Sequence, residues 1–85
     1  MEVFFYKLPL CPRCMAAERH VRRLLAGGGY ELHTIDMLKN RQKVKKDGIS
    51  MAPAIRIRNR VLSGLWLSEV KIKRFLEETP EMDKH

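Results

Sequence analysis

The chain has 85 residues, with 17 Lys and Arg against 10 Asp and Glu, and a net charge of +7. That length supports one domain and one modest core, since a chain this short buries only about 60–65% of the surface its unfolded form exposes. The longest apolar runs, such as Val3-Phe4-Phe5-Tyr6, fall far short of the roughly 18 residues that cross a bilayer. Two cysteines are also too few for the stapled frameworks of small secreted domains.

In chain order, Val3–Tyr6 is a short aromatic-rich run, the pattern of a strand buried on both faces. A loop follows at Lys7-Leu8-Pro9-Leu10. From Pro12 to about Ala26, Cys14, Ala17, Val21, Leu24 and Leu25 recur at helical spacing and predict an amphipathic helix, with Arg19, Arg22 and Arg23 on the rest of its surface. Pro12 suits the first helical position, where a missing N–H costs nothing, and Gly27-Gly28-Gly29 ends the helix. Tyr30–Asp36 predicts a second strand, with Tyr30, Leu32 and Thr34 on one face. Asp36 is placed to cap a short, very basic helix from about Met37 to Asp47, anchored by Leu38 and Val44 and stopped at Gly48.

Ala54–Arg58 alternates Ile55 and Ile57 with Arg56 and Arg58, which predicts a half-buried strand. Asn59-Arg60 reads as the reversal into a returning strand at Val61-Leu62, closed by Ser63-Gly64. Ser68 is the expected N-cap of a last helix running to about Glu78, with Ile72, Phe75 and Leu76 as its buried stripe and Pro80 past its end. The order is β-α-β-α-β-β-α. The first two strands are parallel by a right-handed crossover and the last two form an antiparallel hairpin. The result is an α/β fold, a four-stranded mixed sheet flanked by three helices, in one domain over residues 1–80 with a tail at 81–85.

Cys11-Pro12-Arg13-Cys14 sits where a strand gives way to a helix. A thiolate is the attacking species in disulfide exchange, and a free cysteine with a pKa of about 8.5 is mostly protonated at neutral pH. Unpaired N–H groups and the partial positive charge of a helix N-terminus favour the anion. Cys11 at the helix tip is therefore expected to be the exposed, low-pKa nucleophile, helped by Arg13 and Lys7. Cys14, one turn on and facing the core, is expected to be the resolving thiol. A close pair of cysteines also suits a metal, but a structural zinc site needs four ligands and no second pair exists. A metal shared between two chains, including a bridged iron–sulfur cluster, stays open on this reading.

The strand–Cys11-Pro12-Arg13-Cys14–helix unit resembles the active site of glutaredoxins and related small redoxins, whose usual motif has tyrosine where Arg13 stands. Two further segments match across nearly the whole chain: Met51-Ala52-Pro53 before the third strand, and Ser63-Gly64 before the last helix. The resemblance implies a thioredoxin-like fold, a cis Ala52–Pro53 bond beside the cysteines, and strand-like pairing of the Ala52 backbone with substrate. It implies a thiol–disulfide oxidoreductase with no bound cofactor, using glutathione as reductant or co-substrate. Its site would comprise Cys11 and Cys14 with Lys7, Pro12, Arg13, Met51, Ala52, Pro53, Ser63 and Gly64.

Two departures bear on the subgroup. No acidic residue precedes Glu69 after Gly64, and Lys7 stands four residues before Cys11 instead of three. Both point away from tight glutathione binding. The Ser63-Gly64 form resembles that of the glutaredoxin-like redoxins that take electrons from thioredoxin reductase and feed ribonucleotide reductase, the alternative reading.

Trp66 is expected to pack the last helix onto the sheet, with a place on the substrate-docking surface near Gly64 as the alternative. His20 and His33 receive no role. The expected partners are a protein or small-molecule disulfide and an electron source. Lacking a signal-peptide pattern at Met1-Glu2-Val3, the chain is expected to be a cytoplasmic monomer. The basic segment Lys39–Lys46 leaves a rival of another class, a nucleic-acid-binding module, for which charge is the sole support.

Overall fold

The apolar run near the N-terminus forms β1 (Glu2–Lys7), and in the computed structural model, which describes residues 2–78, it lies in the interior of the sheet. It is followed by α1 (Pro12–Leu25), β2 (Glu31–Asp36), α2 (Arg41–Lys46), β3 (Ala54–Ile57), β4 (Arg60–Ser63) and α3 (Glu69–Glu78). The strands are ordered β2-β1-β3-β4. β1 pairs parallel with β2 and antiparallel with β3, and β3 pairs antiparallel with β4. The predicted four-stranded mixed sheet with three helices is therefore observed. Pro80 and the expected tail at 81–85 lie outside the described residues.

Because β1 is internal, both its faces need cover. Val3 and Phe5 face α1 and α3 and join Ala17, Val21, Ile55, Ile57, Ile72 and Phe75 in the larger core. Tyr6 faces the other way, where Ile35, Val44, Ile49 and Ala54 make a smaller core under α2. Tyr6 is fully buried, and its hydroxyl is satisfied twice: it donates to Asp47 Oδ2 at 2.8 Å and accepts from Arg56 Nε at 2.8 Å. The Arg56 guanidinium also lies over the Phe4 ring, 4.4 Å from its centre. A residue read as the polar side of β3 thus covers sheet that the six-residue α2 is too short to reach.

Several local expectations change. The basic helix begins at Arg41 rather than Met37, because Asp36 spends its carboxylate on a turn, accepting from Leu38 N–H at 2.9 Å and Lys39 N–H at 3.3 Å. Leu38 is consequently exposed, and Met37 packs inward in its place. In β2 the buried residue is Ile35, on the α2 face, while Thr34 is exposed at the sheet edge. The β3–β4 reversal is Arg58-Asn59, one residue earlier than expected, since Ile57 pairs with Arg60. Trp66 does not pack α3 onto the sheet: it is 61% exposed, and Leu67 enters the core instead. Ser68 does cap α3, its Oγ accepting from Lys71 N–H at 3.2 Å. Among the described residues no helix is long and apolar enough to cross a membrane.

Gly48 follows α2 at φ +78°, and an added Cβ there would meet nothing within 4 Å. The cost of a side chain is therefore purely conformational. Gly48→Ala is expected to lower stability by about 1–2 kcal/mol, and Gly48→Asn by less. Urea unfolding measures both, and an unchanged midpoint for the alanine variant would show that the left-handed turn is not required.

Candidate active site

β1 ends at Lys7, and the short loop that follows delivers the chain to Cys11. Cys11 has an extended backbone (φ −113°, ψ 104°) and is the N-cap of α1, with Pro12 in the first turn. Its carbonyl accepts from Met15 N–H at 2.9 Å, and its sulfur accepts from Cys14 N–H at 3.3 Å. The side-chain oxygen that usually caps a helix is thus replaced by the sulfur of the candidate nucleophile. Both thiols are free.

Cys14 is fully buried, as its place on the apolar face predicts. Cys11 is 8% exposed, far less than a tip residue suggests. Ala52, Leu8 and Met37 close around the pair. Cys11 is thus nearly, but not fully, enclosed.

Burial pushes the Cys11 thiol up, but several effects outweigh it. These are hydrogen bonds from the Cys14 thiol and from the backbone N–H of Cys14, the positive charge of Arg13, and the backbone N–H of Arg13; together they hold Cys11 below the ordinary thiol value. Burial raises Cys14 as well, and there the Cys11 sulfur adds to the effect. The Cys14 thiol is pushed up to about 11, against a weaker opposing pull from the Leu8 backbone and Arg13. The arrangement shifts the Cys11 thiol near the surface toward its thiolate and keeps the Cys14 thiol beneath it protonated at neutral pH.

The other expected site residues divide into those at the thiols and those apart. The Ala52–Pro53 bond is cis, Pro53 is fully buried, and Ala52 packs in one cluster with the cysteines, with Met51 exposed beside it. Ser63 pairs with Ala54 across β3 and β4, which brings Gly64 to the same end of the sheet. Gly64 has neither a positive φ nor a crowded Cβ position, the nearest atom being Leu67 Cδ2 at 3.7 Å. The fold therefore does not demand glycine there. Arg13 Nη1 donates to the Leu65 carbonyl at 3.0 Å. Lys7 lies in an ion pair with Glu18 at 3.1 Å, so its charge is answered within the fold and the field at Cys11 comes from Arg13.

No protein-family model and no curated protein matches the sequence. Solved structures do match. Thioredoxin O2 of Arabidopsis thaliana in its oxidized state superposes with a TM-score of 0.77 at 15% identity, over 92% of this chain and 73% of that one. A mutant thioredoxin of Halobacterium salinarum gives 0.73 at 18%, over 89% and 71%. Thioredoxin 1 of Thermosipho africanus gives 0.71 at 17%, over 91% and 96%. The chain has a thioredoxin fold.

Within this thioredoxin fold lies an apolar rim that the sequence reading reached only at Met51 and, as an alternative, Trp66. Leu10, immediately before Cys11, is 99% exposed and has φ +55°. A leucine rarely adopts that left-handed conformation, which costs about 1–2 kcal/mol. Leu65, at 67%, and Trp66 are exposed beside Arg13, and Met51 beside Ala52. The missed signal was the run Leu65-Trp66-Leu67, which has three large apolar residues where a single core contact suffices. At the opposite end of β1 and β2, Glu2, Glu31 and His33 bring their ligand atoms within 4.8 Å of one another. There the His33 ring stacks on Phe4 and faces Glu2 at 3.2 Å.

The two thiols are expected to alkylate separately. With iodoacetamide, the Cys11 rate should rise to a plateau with its midpoint below that of the same cysteine in the unfolded chain. Cys14 should stay unmodified until the pH approaches 11. Peptide mapping by mass spectrometry distinguishes them, and equal reactivity at neutral pH would contradict the assignment.

Proposed function

We propose that this protein is a dithiol–disulfide oxidoreductase that reduces disulfides through Cys11 and Cys14. The observation that carries the reading is the pairing of a helix-capping sulfur held toward its thiolate with a buried, protonated neighbour one turn away. The Cys11 thiolate attacks one sulfur of the substrate disulfide, and the other leaves as a thiolate that takes up a proton. In the mixed disulfide Cys11 is no longer an anion, so Cys14 loses the charge that opposed its ionisation. Cys14 gives up its proton and attacks the Cys11 sulfur, and the second substrate thiolate departs and is protonated. The substrate gains two electrons and two protons. The protein keeps a Cys11–Cys14 disulfide, which an external thiol system must reduce.

The rim of Leu10, Met51, Leu65 and Trp66 supports protein disulfides as the main substrate, since apolar patches of this kind suit a protein surface better than a small polar thiol. Bare backbone at Gly64 and the Ala52 segment beside the thiols suit an approaching extended peptide. With no acid between Gly64 and Glu69, thioredoxin reductase is the proposed electron source ahead of glutathione, and ribonucleotide reductase is a candidate acceptor. A reducing compartment such as the cytoplasm suits two free thiols.

Cys11→Ser is expected to abolish insulin reduction, and Cys14→Ser to accumulate mixed disulfides visible by mass spectrometry. Full turnover without Cys11 would overturn the mechanism. In coupled assays on the oxidised protein, thioredoxin reductase should outpace glutathione with its reductase. The reverse order would assign the protein to glutathione-dependent chemistry.

A further inference from the structure

Arg13 has two separable consequences. Its charge acts on the thiols, and its guanidinium reaches across to the segment between β4 and α3, where it donates to the Leu65 carbonyl at 3.0 Å. Among the described residues this is the hydrogen bond that ties α1 to residues 64–67. The segment leaves β4 at Gly64 and is held from below by Leu67, which is buried in the main core. Between these points Leu65 and Trp66 project into solvent. An exposed loop held only at its ends samples many arrangements, and ordering it on binding costs affinity. A planar, fixed-geometry donor from the thiol-bearing helix removes part of that freedom in advance.

We propose that Arg13 is a positioning residue for substrate recognition: by latching the Leu65 carbonyl to the first turn of α1, it holds the Leu65–Trp66 part of the apolar rim in register with the Cys11 sulfur. This rests on the oxidoreductase reading above and names the substrate class that depends on the latch. A protein disulfide engages both rim and sulfur, whereas a small symmetrical disulfide reaches the sulfur alone. Arg13 lies within the C-x-x-C motif, yet this effect is exerted through a loop more than fifty residues away in sequence.

Arg13→Lys keeps the charge and loses the rigid fork, while Arg13→Met loses both. The test compares kcat/KM on insulin with kcat/KM on 5,5′-dithiobis(2-nitrobenzoate), alongside fluorescence anisotropy of Trp66, the single tryptophan. In both variants the loss on insulin should exceed the loss on the small disulfide by roughly three- to tenfold, the scale of one hydrogen bond. The excess should lie in KM, and Trp66 anisotropy should fall. The Cys11 alkylation midpoint should rise substantially in Arg13→Met only.

Equal losses on the two substrates overturn the latch, whatever the anisotropy does. A selective loss confined to Arg13→Met overturns it too, because charge alone would then explain recognition. Failure of the oxidoreductase reading looks different: wild-type protein would be inactive on both disulfides before any variant is made. Wild-type protein active on the small disulfide alone would overturn the protein-substrate assignment and the latch's role with it.

Discussion

The N–H of Cys14 donates to the Cys11 sulfur because α1 begins a short loop after β1 makes its last pair with β2. Much of the rest of the fold serves that junction. An internal strand fixes the height at which the helix starts, and the crossover to β2 fixes its direction. The large core under α1 and α3 holds the helix axis in place. The electrostatics then follow with little further apparatus. A helix terminus with no acidic residue in its first turn leaves its unpaired N–H groups to the sulfur, and Arg13 adds a full charge.

The opposite face of the sheet contributes less obviously. α2 is too short to fold or stay docked by its own propensity, since isolated helices below about 12–15 residues are marginal in water. It is tied down at its C-terminal end, where Asp47 receives the Tyr6 hydroxyl and a Lys43 hydrogen bond at 3.2 Å, and where Arg56 bonds the same hydroxyl. Burial raises the Asp47 carboxyl, but Tyr6, Lys43 and Arg56 together hold it below its ordinary value. This anchor keeps the preceding turn in place. Met37, in that turn, is bonded through its N–H to the Lys7 carbonyl at 2.8 Å and packs on the cluster that covers both cysteines. A buried tyrosine in the middle of the sheet thus supports the shielding of the thiols.

Where the pattern was periodic, the sequence was a faithful guide. β1, α1 and the α3 stripe appear as read, the hairpin appears with its reversal one residue early, and the motif at Cys11–Cys14, the cis bond at Pro53 and the Ser68 cap stand where spacing or resemblance put them. The misreadings share a cause, competition between local hydrogen bonding and burial. Asp36 has the chemistry of a helix cap, but its carboxylate closes a turn first, so which of Met37 and Leu38 is buried reverses. Arg56 looked solvated because its charge was visible and its partner Tyr6, fifty residues away, was not. For Lys7 the distance from Cys11 in sequence was legible, and its pairing with Glu18 was not. Trp66 looked like core because large aromatics usually are.

The exposed rim around Cys11 also has a colloidal side. A patch that suits an incoming protein surface suits a second copy of the same chain, and Leu10, Leu65 and Trp66 are available on every molecule in solution. The excess of seven positive charges makes those copies repel one another. That protection reaches only about 8 Å at physiological ionic strength and shrinks to about 3 Å at 1 M salt. The basic surface, including the lysines of α2, thereby opposes contact between the apolar rims of two copies.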